Sequence, residues 1–143
     1  MATLATCALR DRYASEQQEL QPDLADALKK ALGSGFDVQI SIGSGDPKPH
    51  VALFGTTFWP DIVVSCNGVP SLAIEVKHIR KGQSPAKAIA ETIGQCLIYS
   101  LLYPRVIGFI LRDGTPEPEP LAEEKRLREM LAKFGIDIAM RCR

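Results

Sequence analysis

The chain has 143 residues, 45% apolar and 24% charged, which suits one globular domain with its own core and excludes a disordered or fibrous chain. Seventeen Lys and Arg balance seventeen Asp and Glu, so no overall basic field attracts a polyanion, and such a partner needs a local patch. No apolar run approaches membrane-spanning length, MATLATCALRDRY is charged too early for a secretory leader, and Cys7, Cys66, Cys96 and Cys142 include no C-x-x-C pair. The expectation is a cytoplasmic protein with reduced thiols, no zinc knuckle and no membrane contact.

Residues 15–32 read as a helix, with Leu20, Leu24, Ala27, Leu28, Ala31 and Leu32 at helical spacing and Gly33 and Gly35 as the stop. FDVQISI alternates, with Phe36, Val38, Ile40 and Ile42 on one side, and reads as a strand with one buried face. Residues 43–50, GSGDPKPH, form a loop; Gly43-Ser44-Gly45 lacks the Lys and helix of a phosphate-binding loop. Two strands follow, 58–65 and 69–79, around Asn67-Gly68. Residues 84–102 make a second helix, with Ser84 as its cap and Pro85 at its first position. RVIGFILRD reads as a buried strand, and GTPEPEP as a stiff connection. A helix over 121–134 with the stripe Leu127, Met130, Leu131 and Phe134, then a strand over 136–140, close the chain. The order α-β-β-β-α-β-α-β describes a single α/β domain with a mixed sheet.

Two registers compete in the Asn67-Gly68 hairpin. A two-residue turn pairs Cys66 with Val69 and sets Asp61 against Ile74, which puts Asp61 and Glu75 on opposite faces. A three-residue loop, Cys66-Asn67-Gly68, has Gly at its third position and sets Asp61 opposite Ala73, diagonal to Glu75. The second register sorts Ile62, Val64, Leu72, Ile74 and Val76 onto one face. It leaves Asp61, Val63, Ala73, Glu75 and Lys77 on the other.

Two carboxylates this close repel, and hard oxygen donors suit Mg²⁺ or Mn²⁺ between them. The backbone carbonyl of Val76 can add a neutral oxygen, and Lys77 projects beside Glu75. A metal, an oriented water and an ammonium are what phosphodiester hydrolysis requires.

These residues resemble a known family. Pro60-Asp61 followed by Glu75-Val76-Lys77 on the next strand is similar to the motif of the PD-(D/E)XK nuclease superfamily, the restriction-endonuclease-like fold. Its α-β-β-β-α-β core would span residues 15–112, with 113–143 as a C-terminal α-β extension. The resemblance implies Asp61 and Glu75 as metal ligands and Lys77 as the catalytic lysine. ETIGQCLIYSLLYP places Gln95 and Tyr99 at i and i+4, with Glu91 one turn earlier, and resembles the Q-x-x-x-Y motif of RecB-like exonucleases. That resemblance implies nucleic-acid contact by Gln95 and Tyr99. The stretch from SEQQEL to GSGD is similar to Holliday-junction resolvases, in which an acid of the first helix joins the metal site; Glu19 is the nearest counterpart. His50 is the one upstream histidine that could match a metal-binding His of the RecB-like branch, and a surface role suits it better. No cysteines cluster for an iron–sulfur centre.

The run from Lys77 to Lys87 holds Arg80, Lys81 and Lys87 with no acid, and offers the local phosphate-binding patch that the net charge denies. The expectation is a divalent-metal-dependent nuclease acting on DNA rather than RNA, directed by structure or ends. A homodimer or partner protein would supply what so small a chain lacks. The alternative is a non-catalytic nucleic-acid-binding or scaffold protein on the same fold. Taken singly, the residues have plainer readings: Asp61 as a turn residue after Pro60, Glu75 and Lys77 as an exposed strand face, Tyr99 as core boundary.

Overall fold

The computed structural model describes residues 4, 7–41, 49–114 and 119–143. The first helix begins on a reciprocal cap. Ser15 Oγ accepts from the Gln18 N–H at 3.2 Å, while the Glu19 carboxylate accepts from the N–H groups of Ala14 and Ser15. Its opening turn, Glu16–Leu20, is a π-turn, and α1 proper runs Gln21–Leu32. The turn shifts the helical phase, so α1 buries Gln21, Leu24, Ala25 and Leu28, while Ala31 is exposed. Gly33, at φ 78°, ends the helix as expected.

Among the described residues seven strands follow: β1 (Phe36–Ile40), β2 (Val51–Leu53), β3 (Thr56–Phe58), β4 (Ile62–Cys66), β5 (Val69–Ile79), β6 (Arg105–Arg112) and β7 (Ile136–Cys142). Helix α2 (Pro85–Tyr99) joins β5 to β6, and α3 (Ala122–Ala132) joins β6 to β7. Five strands form one mixed sheet in the order β1-β4-β5-β6-β7. The pairs β1–β4 and β4–β5 are antiparallel; β5–β6 and β6–β7 are parallel. The α/β class and the mixed sheet read from the sequence are therefore present, and the C-terminal α-β pair completes the same sheet.

One segment differs. Residues 58–65 are not one strand: Trp59, Pro60 and Asp61 interrupt it, and Phe58 belongs to a small separate hairpin of β2 and β3. Phe54 and Gly55, both at positive φ, make its turn. Tyr99 and Tyr103 hold this hairpin's ends to α2: their hydroxyls donate to the carbonyls of Trp59 (2.9 Å) and Pro49 (2.8 Å). Ile42 and Gly43-Ser44-Gly45 lie outside the described residues, as does most of GTPEPEP.

Both sheet faces are covered. Leu20 of the opening π-turn and Leu24 and Leu28 of α1 pack with Leu4 and Tyr13 on Ile62, Val64, Ile74, Val76 and Phe109. Opposite, Cys96, Tyr99 and Leu131 pack on Val63, Ala73, Val106 and Ile110. Glycine at 108 lets α2 approach β6, because a Cβ there would stand 2.8 Å from Ile138 Cδ1 and 3.0 Å from Thr92 Cγ2. The stripe expected to bury α3 does so only through Leu131. Leu127, Met130 and Phe134 are exposed, because α3 meets the sheet near its edge and covers little beyond β7.

Candidate active site

The hairpin adopts neither simple register. Asn67 (φ 51°) and Gly68 (φ 77°) form the two-residue turn that pairs Cys66 with Val69, correcting the three-residue loop. Ser71 then bulges out of β5, since Ser65 faces Pro70 while Val64 faces Leu72. The extra residue brings Ile62 opposite Ile74. One step further, Asp61 reaches the same part of β5 as Glu75. Turn chemistry and hydrophobic sorting are both satisfied, and the bulge reconciles them.

Beyond Ile62, β4 has ended while β5 continues to Ile79, paired only with β6. The open edge of β5 is filled by carboxylates. Asp61 Oδ2 accepts the Val76 N–H at 2.7 Å, and Glu16 Oε2 accepts the His78 N–H. A strand residue presents its N–H and C=O to the same edge, so the carbonyls of Val76 and His78 face this notch too. Asp61 is itself anchored, its carbonyl accepting from Ser41 N–H at 2.8 Å.

Glu75 is buried and projects to the α2 face. Burial above all, then the charge of Asp61, pushes its carboxyl up to about 8, against the nearby Tyr99 hydroxyl and Lys77. Asp61 is raised to about 6, first by burial and also by Glu16, while the Val76 N–H, the Gln21 amide and Lys77 oppose the rise. Among the described residues Glu75 Oε2 and Ser41 Oγ are buried in this neighbourhood without a hydrogen-bond partner. Such atoms cost free energy unless an ion or water meets them, so their concentration here marks a polar site rather than a packing core.

Glu16 and Gln21 were missed by α-helical periodicity. The Gln21 N–H donates to the Glu16 carbonyl across the π-turn, so residues five apart stack toward the same acids. Glu19, the helix acid expected at the metal, instead spends its carboxylate on the helix cap and a longer ion pair with Arg10 at 3.8 Å. Tyr99 is wholly buried, with its hydroxyl on the Trp59 carbonyl and beside Glu75. Its ring and hydroxyl face inward here rather than toward the surface that the expected nucleic-acid contact needs. Gln95 is half-buried and lines a cleft of about 450 Å³ with Phe58, Glu75, Lys77, Glu91 and Ile98. Lys77 reaches Glu91 at 3.7 Å, and Glu91 also meets Lys87 at 3.8 Å. These pairs are solvent-facing and weak enough to exchange for a phosphate.

A second hollow of about 540 Å³ shares Lys77 and Glu91 with the cleft, and adds Glu16, Arg80, Gln83 and Lys87. Arg80 is partly committed, its guanidinium donating to the Ala14 carbonyl. Lys81 turns away and lines a separate cavity. His50 lies against Trp59, ring centroids 4.5 Å apart, on the exposed surface.

Among the described residues no three His, Cys, Asp or Glu side chains converge closely enough to ligate one ion. The donor set present is Asp61, Glu75 and the Val76 carbonyl. It fits Mg²⁺ or Mn²⁺, which are commonly held by one or two carboxylates with water completing the shell. The partnerless Glu75 Oε2 is the atom such an ion would satisfy. Comparison with protein families, with characterised proteins and with solved structures finds no match for this chain.

Proposed function

We propose that this chain is a divalent-metal-dependent nuclease, with DNA as its expected substrate, on a restriction-endonuclease-like arrangement of the sheet. The observation that carries the reading is the Asp61–Glu75 pair. Two carboxylates of raised proton affinity share a largely buried notch, beside a lysine at the mouth of a cleft. A purely structural sheet would gain by replacing such a pair with apolar residues, so a functional load is the better account of its cost.

Asp61 and Glu75, with the Val76 carbonyl, would hold Mg²⁺ or Mn²⁺, which supplies Lewis acidity toward a phosphate oxygen and a more acidic water. Lys77 extends from the same strand face as Glu75, two residues on, and places its ammonium where a phosphate in the cleft gathers negative charge. The Val76 N–H holds the Asp61 carboxylate in orientation, and the Tyr99 hydroxyl lies near Glu75. Lys87 and Arg80 line the continuation of the groove and supply the local positive charge for a nucleic-acid backbone.

Cleavage of supercoiled plasmid and of labelled single- and double-stranded oligonucleotides with Mn²⁺ or Mg²⁺ tests this. Wild type should cut and EDTA should stop it. Lys77→Ala should lose roughly 10²-fold or more, and Asp61→Ala should fall to background. If all three proteins are equally inactive with Mn²⁺, the catalytic reading fails.

A further inference from the structure

A cavity of about 660 Å³ lies away from the cleft and shares no lining residue with it. It opens where the three parallel strands end: Lys81 follows β5, Asp113 and Gly114 follow β6, and Arg141 to Arg143 close β7. The segment from Leu9 to Tyr13 forms the opposite wall. Carboxyl ends of parallel strands are where open α/β sheets commonly take their ligands.

The charges there are lopsided. Among the side chains that line it, Arg10, Arg12, Lys81, Arg141 and Arg143 outnumber Asp11 and Asp113. Asp113 is already engaged, by Arg143 Nε at 2.6 Å and His78 Nε2 at 2.7 Å, and Arg10 is paired with Asp23 at 2.8 Å. Among the described residues, Arg12, Lys81 and Arg141 have no carboxylate partner. Two of the guanidiniums are held in place. Arg143 lies 5.0 Å above the Tyr13 ring and donates to the Arg10 carbonyl, and Arg141 donates to the Cys7 carbonyl, each at 2.6 Å. Guanidinium groups fixed this way present forked N–H donors at little entropic cost, which suits phosphate oxygens.

We propose that this cavity is a second ligand site, for a phosphate-bearing ligand of nucleotide size: a free nucleoside polyphosphate or the phosphorylated end of a strand. Its volume lies in the range of small-ligand pockets. The site stands on the opposite side of the sheet from Glu75 and Lys77, since Tyr13 and Leu111 belong to the α1 core. It therefore does not depend on the nuclease reading.

The test is calorimetric titration with sodium pyrophosphate at low salt in EDTA, where no metal chemistry contributes. Wild type should bind saturably. The double variant Arg12→Gln/Lys81→Gln, whose side chains make no hydrogen bond or ion pair among the described residues, should keep its Tm and bind about tenfold more weakly or worse. Arg141→Gln should weaken binding similarly. Competition then separates the sources. Displacement by a 5′-phosphorylated oligonucleotide over its 5′-hydroxyl twin assigns a strand end, and displacement by ATP alone assigns a free nucleotide. Absence of saturable pyrophosphate binding, or binding unchanged in both the double variant and Arg141→Gln, overturns the proposal.

Discussion

The two halves of β5 share one strand and lead different lives. From Val69 to Ile74 the strand is an ordinary ladder against β4, its side chains sorted between two apolar cores. From Glu75 to Ile79 it outruns β4, and carboxylates take the N–H groups that a neighbouring strand would have taken. A sheet can hold acids in its interior where one strand ends early, because the exposed N–H groups of its neighbour need acceptors. The same truncation turns two carbonyls toward the acids. The inward-facing carboxylates Glu16, Asp61 and Glu75 thus gather where the ladder is incomplete.

Glu75→Gln should break that contrast most. The folded-state carboxyl titrates above its unfolded value, so the folded protein binds more protons than the unfolded one through that interval. Wild-type stability without metal should fall as pH rises from the ordinary carboxylate range through about 8. Glu75→Gln removes this loss and should be more stable than wild type at pH 8.5 by roughly 2 kcal/mol, with the difference vanishing near pH 4. Urea unfolding in EDTA at several pH values measures it. Mn²⁺ should raise the Tm of wild type, more at pH 8 than at pH 6, and leave that of Glu75→Gln unmoved.

A smaller effect separates two acids of one helix. Glu16→Gln should keep the His78 N–H satisfied and cost under about 1 kcal/mol, yet alter the Mn²⁺-induced Tm shift, because its charge bears on both Asp61 and Glu75. Glu19→Ala should cost about 1 kcal/mol through the lost cap and leave the Mn²⁺ response as in wild type. If Glu19→Ala alone changes the metal response, the placement of the helix acids is wrong.

The smallest effect concerns the ordinary half of β5. Deleting Ser71 removes the bulge and leaves a regular two-residue hairpin, with Ile62 still opposite Ile74 and Asp61 still beside Glu75. Stability should change by less than about 1 kcal/mol and the Mn²⁺ shift should survive. Loss of that shift would show that the bulge does more than reconcile turn and register.

Much of this was legible in the residues. Asn67-Gly68, the alternation through Ile74 and Val76, and the apolar run of β6 are local signals, set by turn geometry and strand periodicity, and they define the sheet's centre. The Gly33 stop is equally local. The separation of Phe58 from β4 was not legible, because Trp59-Pro60 fits a strand start as well as a break between two hairpins. Nor was the exposure of Met130 and Phe134, since helical spacing shows which residues share a face and not whether a neighbour covers it.

Periods and turns a few residues long suffice for the α/β class, the mixed sheet and the presence of Asp61, Glu75 and Lys77 around one hairpin, but not for the β2–β3 hairpin. Long-range packing alone brings Glu16 rather than Glu19 near those acids, turns Tyr99 inward, and gathers cations from the N-terminal segment, Lys81 and β7 around one cavity. Those placements join residues far apart in the chain. They depend on where each strand stops and how the helix phase shifts, and no local pattern records either.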